Sequence, residues 1–239
     1  MFNPRPVVRL IPIPGHAPCV VVDELLAEPQ RLIDHALAQQ AAFAIDPDNF
    51  YPGPELALSQ QTAFLLDEFF MQHVRRALGA RRTISVSARL SLATLAPAAL
   101  HPLQRLCHRD AQGLPDGQGS AASVLYLFDQ PRLGGTSFYI PKRSLADTAA
   151  LLRQASASSI SQAGAAVDAI GGVAPGYLAA SNDWFEQVCS VPAAFNRAIF
   201  YDGEIFHAAQ IDAPALLSPD PLRGRLTMNG FFRHRKSLA

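Results

Sequence analysis

Between residues 83 and 92 apolar and polar side chains alternate without a break. Ile84, Val86, Ala88, Leu90 and Leu92 fall on one set of positions, and Thr83, Ser85, Ser87, Arg89 and Ser91 on the other. A period of two puts each set on its own face of an extended chain, so the pattern predicts a half-buried strand. Further short strands are expected at 103–109, 123–128, 136–140, 197–201, 205–211 and 225–233, with Asp202-Gly203 as a tight turn between two of them. Several short strands separated by turns predict an antiparallel barrel or jelly roll.

The residues before this region read differently. Cys19-Val20-Val21-Val22 is expected to form a short buried strand after a proline-rich start. Asp23 is placed to cap a helical stretch whose apolar positions include Leu25, Leu26, Leu32, Ile33, Ala36 and Leu37, and Pro29 suits the first turn of a second helix. Residues 46–54 are a loop by composition. A helix from about Ser59 carries Phe64, Leu65, Phe69, Phe70, Val74 and Leu78 near helical spacing and ends at Gly79.

Residues 143–195 interrupt the strands with helical and loop material. Ser144 is the expected cap, and Leu145, Leu151 and Leu152 the apolar face. The piece 156–172 is rich in Ser, Ala and Gly. The stretch reads as an insertion between two strands, in the manner of a lid. The whole is an α+β chain with a mainly β core: 1–82 an N-terminal strand and helices packed on the sheet, 83–233 the core with its helical insertion, and 234–239 a tail.

At 239 residues the chain can bury a sizeable core as a single domain. Apolar residues make up 49% and charges 17%, which excludes general disorder. The formal net charge is zero, so no basic field exists to draw nucleic acid or an anionic membrane. Lysine occurs only at 142 and 236, a bias typical of a GC-rich bacterial genome. Cys19, Cys107 and Cys189 form no CxxC pair and no disulfide framework, and Cys107 is expected in the core. With no signal peptide at Met1 and no run of apolar residues long enough to span a bilayer, the expected location is the cytoplasm.

The chemistry concentrates in His108-Arg109-Asp110, in His207 about a hundred residues later, and in Arg225-Leu226-Thr227. On a strand, residues two apart project from one face, so His108 and Asp110 can reach a single ion; on a helix they diverge by about 200°. Two imidazoles and one carboxylate form the facial triad of a mononuclear non-haem iron site with open positions. His207 must come from a strand beside the first. Other readings of these residues fit poorly. A kinase His-Arg-Asp loop needs an asparagine where this chain has Pro115, and Glu204-x-x-His207 is not the His-Glu-x-x-His of zinc proteases.

The surrounding strings carry a resemblance. Leu125-Tyr126-Leu127-Phe128-Asp129 followed by Gly134-Gly135-Thr136-Ser137-Phe138, the run 196–203 ending in Phe206-His207, and Gly224-Arg225-Leu226-Thr227 resemble prolyl-hydroxylase-like Fe(II)/2-oxoglutarate dioxygenases. The likeness covers roughly 83–233, is least typical over 143–195, and is nearest a bacterial branch. It implies a double-stranded β-helix (jelly roll, cupin-like) with Fe(II) on His108, Asp110 and His207. It also implies 2-oxoglutarate as co-substrate with O₂, its distal carboxylate on Arg225, a hydroxyl donor from Thr227, and Tyr126 at a position whose phenol often reaches the same carboxylate. Arg223, the neighbouring arginine, is out of register. The implied activity is hydroxylation of an amino acid, peptide or small metabolite, with succinate and CO₂ as by-products. Two alternatives stay open: a metal-binding jelly roll without oxygenase chemistry, and a cupin-like metalloenzyme that uses no keto-acid. Trp184 and Phe185 either shape the entrance to the site or anchor the core.

Overall fold

The computed structural model describes residues 2–46, 49–111, 113–157, 172–173 and 175–237. Strands β1 (Val7–Ile11), β2 (Cys19–Asp23), β3 (Glu55–Ala57), β4 (Ala80–Ala93), β5 (Gln118–Tyr126), β8 (Ala198–Asp202) and β10 (Arg225–Lys236) form one sheet. Its order is β1-β2-β8-β5-β10-β4-β3. A second sheet holds β6 (Thr136–Pro141) between β7 (Phe185–Val191) and β9 (Phe206–Ala209). Every neighbouring pair in both sheets is antiparallel. Helices α1 (Gln30–Ala38) and α2 (Gln60–Phe69) lie in the N-terminal part, and α3 (Leu145–Ala157) follows β6. Among the described residues no helix is long and apolar enough to cross a membrane.

Alternation decides what each face of the large sheet touches. Leu90 and Leu92 of β4, Leu125 of β5, Phe200 of β8 and Leu226, Met228 and Phe232 of β10 share one buried cluster with Ile33 and Ala36 of α1 and Leu66 and Phe69 of α2. Ser59 starts α2 by accepting from the Thr62 amide (3.2 Å), and Ala63, Leu66 and Phe69 fall on one helical face. Phe70 continues it as a π-turn over Phe70–Val74 and stacks on Phe232, centroids 4.3 Å apart. The in-between residues look the other way. Tyr126, Ile199 and Tyr201 meet Leu133, Phe138 and Val191 from the second sheet and its approach, so one end of the space between the sheets is filled. A third cluster joins α3 (Leu151, Ala155) to Leu106, Cys107, Tyr139, Phe185 and Phe206. Phe185 is thus a core anchor, and Trp184 packs against the same group.

Four sequence expectations need correction. Residues 103–109 do not form a strand: Pro102 opens a 3₁₀ turn over Pro102–Arg105, capped by His101, and Arg105 donates to the Leu100 carbonyl (2.9 Å). Cys107 is buried nonetheless. The stretch 143–195 is not wholly an insertion, because its last part is β7, paired with β6. Helix α1 begins after Pro29, not at Asp23; that carboxylate ends β2 and pairs with Arg9 and Arg197, each at 2.6 Å. The C-terminal residues 234–236 belong to β10. The strand β1, with Val7 and Leu10 exposed, was hidden by the prolines around it. Most of the Ser, Ala and Gly-rich stretch, 158–171, lies outside the described residues.

Candidate metal centre

The segment 108–110 pairs with 203–207 through an isolated bridge between His108 and His207, although it is not part of a full strand. The His108 amide donates to the His207 carbonyl (3.0 Å), the His207 amide to His108 (2.9 Å), and the Asp110 amide to Gly203 (2.9 Å). Gly203 packs closely against Ser120, where a Cβ would lie 2.6 Å from Oγ and 3.4 Å from the Asp110 Cβ. The pairing sets His108 and Asp110 on the side facing His207. The three side chains offer ligand atoms that all lie within 4.8 Å of one another. Asp110 Oδ1 is 3.7 Å from His108 Nε2, and Oδ2 is 3.5 Å from His207 Nε2. Ligand atoms at right angles about an ion with bonds of about 2.1 Å stand about 3.0 Å apart, so the carboxylate lies near, but wider than, the spacing a bound ion would impose on each imidazole.

Hydrogen bonding prepares these groups. His207 Nδ1 lies 3.0 Å from the Ile205 carbonyl. A carbonyl only accepts, so Nδ1 carries the hydrogen and the neutral ring keeps its Nε2 lone pair toward Asp110. Among the described residues the buried Asp110 Oδ2 has no hydrogen-bond partner, as expected of an oxygen reserved for a cation. Burial opposes ionisation of Asp110, but the two imidazoles outweigh it and hold the carboxyl well below the usual range. Burial also opposes the charge on His207; Asp110 overcomes it and raises that imidazole above its ordinary value. Desolvation, then His207, pushes His108 down. Its side chain is 59% exposed, but it opens into a walled cavity.

That cavity, about 1330 Å³, is lined by all three side chains and by Arg225 and Thr227 of β10. Arg225 is only 2% exposed and makes no ion pair among the described residues. Its Nε donates to the Leu133 carbonyl (3.0 Å) and Nη2 to Gly135 (2.9 Å), leaving the rest of the fork unclaimed. The Gly134-Gly135 pair makes those carbonyls reachable. A Cβ on Gly134 would sit 1.6 Å from the Gln210 oxygen, and one on Gly135 1.9 Å from the Val191 oxygen. Arg223, two residues earlier, is exposed and pairs with Asp220.

Thr227 is fully buried, with a long 3.4 Å bond to the Ser91 carbonyl. Tyr126 stands apart from these cavity-lining residues. Its hydroxyl donates to Thr136 Oγ1 (2.9 Å), burial pushes its pKa up to about 12, and it turns its ring toward Arg225, 6.0 Å from the guanidinium carbon. Two tyrosines that carry no motif reach the cavity instead. Tyr51 comes from the loop before β3, and Tyr177 donates its hydroxyl to the Leu95 carbonyl (2.7 Å).

A family model described as a family of unknown function (DUF6445) matches residues 4–232. The chain belongs to that family. No curated protein matches it significantly. Among solved structures, a Pseudomonas putida prolyl-4-hydroxylase is similar at 13% identity and a TM-score of 0.45, over 92% of this chain and 94% of the other. SnoK, a non-heme alpha ketoglutarate dependent carbocyclase from nogalamycin biosynthesis, is similar at 15% identity and 0.48, over 92% and 83%. HygX from Streptomyces hygroscopicus, solved with nickel and 2-oxoglutarate bound, is similar at 9% identity and 0.47, over 92% and 83%.

Proposed function

We propose that this DUF6445 member is an Fe(II)- and 2-oxoglutarate-dependent oxygenase, a hydroxylase built on a double-stranded β-helix. The observation that carries the proposal is Arg225. A buried guanidinium without a carboxylate costs several kcal/mol, on the order of the desolvation penalty for one ion, unless an anion joins it. The same cavity holds two imidazoles and a carboxylate in the facial-triad set, so an anion that also chelates a metal answers both needs. A 2-oxo diacid is such an anion.

In this reading His108, Asp110 and His207 hold the iron, while Arg225 and Thr227 receive the distal carboxylate. Bound iron would supply the oxidative chemistry: 2-oxoglutarate, O₂ and a substrate C–H give succinate, CO₂ and C–OH. The chain's part is to fix ligand geometry and exclude water. His207 is locked by Ile205, and Arg225 by Leu133 and Gly135. The cavity exceeds the roughly 300–1,000 Å³ of a typical small-ligand site. It therefore accommodates a second organic molecule, a small metabolite or a peptidyl side chain, beside the face of α3 that bears Thr148, Ala149 and Leu152.

Anaerobic titration with Fe(II) and 2-oxoglutarate tests this. A metal-to-ligand charge-transfer band is expected in the wild type. His108→Ala and Asp110→Ala are expected to lose stoichiometric iron while keeping the fold. Normal iron content in both variants, or iron binding with no such band in the wild type, refutes the assignment.

A further inference from the structure

Among the described residues the buried Tyr51 hydroxyl makes no hydrogen bond of normal geometry, although it lies close enough to Arg225 and Thr227 for both to favour its ionised form. Burial dominates and pushes the phenol above its ordinary pKa, so it stays a protonated donor. An unpaired buried hydroxyl costs about 1–3 kcal/mol, and this one faces the two groups assigned to an anion. The loop that carries it is fixed on both sides. Its amide donates to Asn49 Oδ1 (2.5 Å), and its carbonyl accepts from Gln104 Nε2 (3.1 Å). Pro52 accepts from the Thr94 amide (3.0 Å), and Pro54 from the Leu92 amide (3.0 Å). Gly53 lets the chain lie this close to β4, since a Cβ there would stand 2.1 Å from the Leu92 oxygen. Glu55, just beyond, is anchored by Arg89 (2.9 Å) and Ser91 (2.6 Å). So many ties around a donor without an acceptor mark a prepared seat.

We infer that Tyr51 is a third donor to the distal carboxylate of the keto-diacid, in the role that the resemblance implied for Tyr126. The inference rests on the oxygenase reading above. It assigns selection of the co-substrate to the N-terminal segment: Arg225 supplies charge, and Thr227 and Tyr51 supply hydroxyls at the carboxylate end. The Tyr126 hydroxyl is engaged by Thr136 and takes no direct part. A 2-oxo acid lacking the second carboxylate has nothing for Tyr51 to bind.

Calorimetric titration of Mn(II)-loaded protein with 2-oxoglutarate and with 2-oxobutyrate, which lacks the distal carboxylate, tests this. Tyr51→Phe is expected to weaken 2-oxoglutarate about tenfold or more, the scale of a hydrogen bond to a charged group. Binding of 2-oxobutyrate and of Mn(II) should be unchanged. Among the described residues the hydroxyl has no hydrogen bond of normal geometry to lose, so the unliganded variant should melt at or above the wild-type temperature. Tyr126→Phe should keep wild-type discrimination. The inference is overturned if Tyr51→Phe keeps full preference for 2-oxoglutarate, loses both keto-acids equally, or melts lower. A wild type that binds metal but no keto-acid removes the oxygenase reading as well, which separates the two failures.

Discussion

Arg225→Met separates a structural arginine from one that waits for a ligand, because the two roles predict different stabilities for the unliganded variant. Methionine fills much of the same volume without charge. Its cost is the loss of the bonds to the Leu133 and Gly135 carbonyls, 3.0 and 2.9 Å, and of the contacts with the Tyr126 and Phe128 rings. Hydrogen bonds involving a charged group contribute about 1.5–3 kcal/mol each, so roughly 3–6 kcal/mol is forfeited. Against this stands the relief of a cation that is 2% exposed and unpaired, worth several kcal/mol. The two terms are of the same order and opposite sign, so unliganded Arg225→Met is expected to lose less than about 3 kcal/mol relative to wild type. For a chain of this size each 1 kcal/mol is about 2–4 °C in melting temperature. Ligand response breaks the tie. At a hundred times its dissociation constant, 2-oxoglutarate with Mn(II) should stabilise the wild type by about 2.7 kcal/mol beyond Mn(II) alone, and the variant hardly at all. Differential scanning calorimetry of both proteins, with and without keto-acid, reads all four values. If unliganded Arg225→Met drops by 3 kcal/mol or more, the guanidinium is already compensated in the free protein and the reasoning fails.

Metal loading should weaken toward acid. Asp110 holds the His207 pKa above its ordinary 6.5, and a metal needs the neutral ring, so protons begin to compete above pH 6.5 and win as the pH falls further. Mn(II) affinity measured between pH 8 and pH 5.5 checks this; a flat profile contradicts it. Phe232→Ala empties a fully buried site stacked on Phe70 and should cost about 3–5 kcal/mol in urea unfolding. Because Phe232 packs in the helix-side cluster and alternates along β10 with Arg225 and Thr227, metal stoichiometry should be retained in the folded fraction.

What the sequence disclosed and what it withheld follow from the range over which residue patterns report. Alternation in 83–92 foretold the core face of β4 from Val86 to Leu92, since each residue's face is set by its immediate neighbours, but not the exposure of Ile84 or the burial of Ser91. The same logic carried Arg225 and Thr227, two apart on β10, into one cavity. His108 and Asp110 do come together, but through a short pairing with 203–207 and a bend at Asp110 in place of the expected strand. Pro102 set the local turn that defeated the longer prediction, because a ring-fixed φ favours a helical turn at its first position. The strand β7 was lost because Phe185–Val191 lacks strict alternation and follows a stretch of Ser, Ala and Gly. Tyr51 lay beyond reach for a different reason. It sits in Tyr-Pro-Gly-Pro, which reads correctly as a loop, and its direction is set by the Leu92 and Thr94 amides and the Gln104 side chain. Tyr126 shows the converse: its place in a motif string identified the strand, but Thr136, ten residues away, determines where its hydroxyl points. Position within an element therefore reports which side chains share a face, while the direction of a loop side chain such as Tyr51 is set by distant residues. Under the proposal that Tyr51 binds the co-substrate, the N-terminal segment, outside the motif-bearing region 83–233, is where its selection should first be tested.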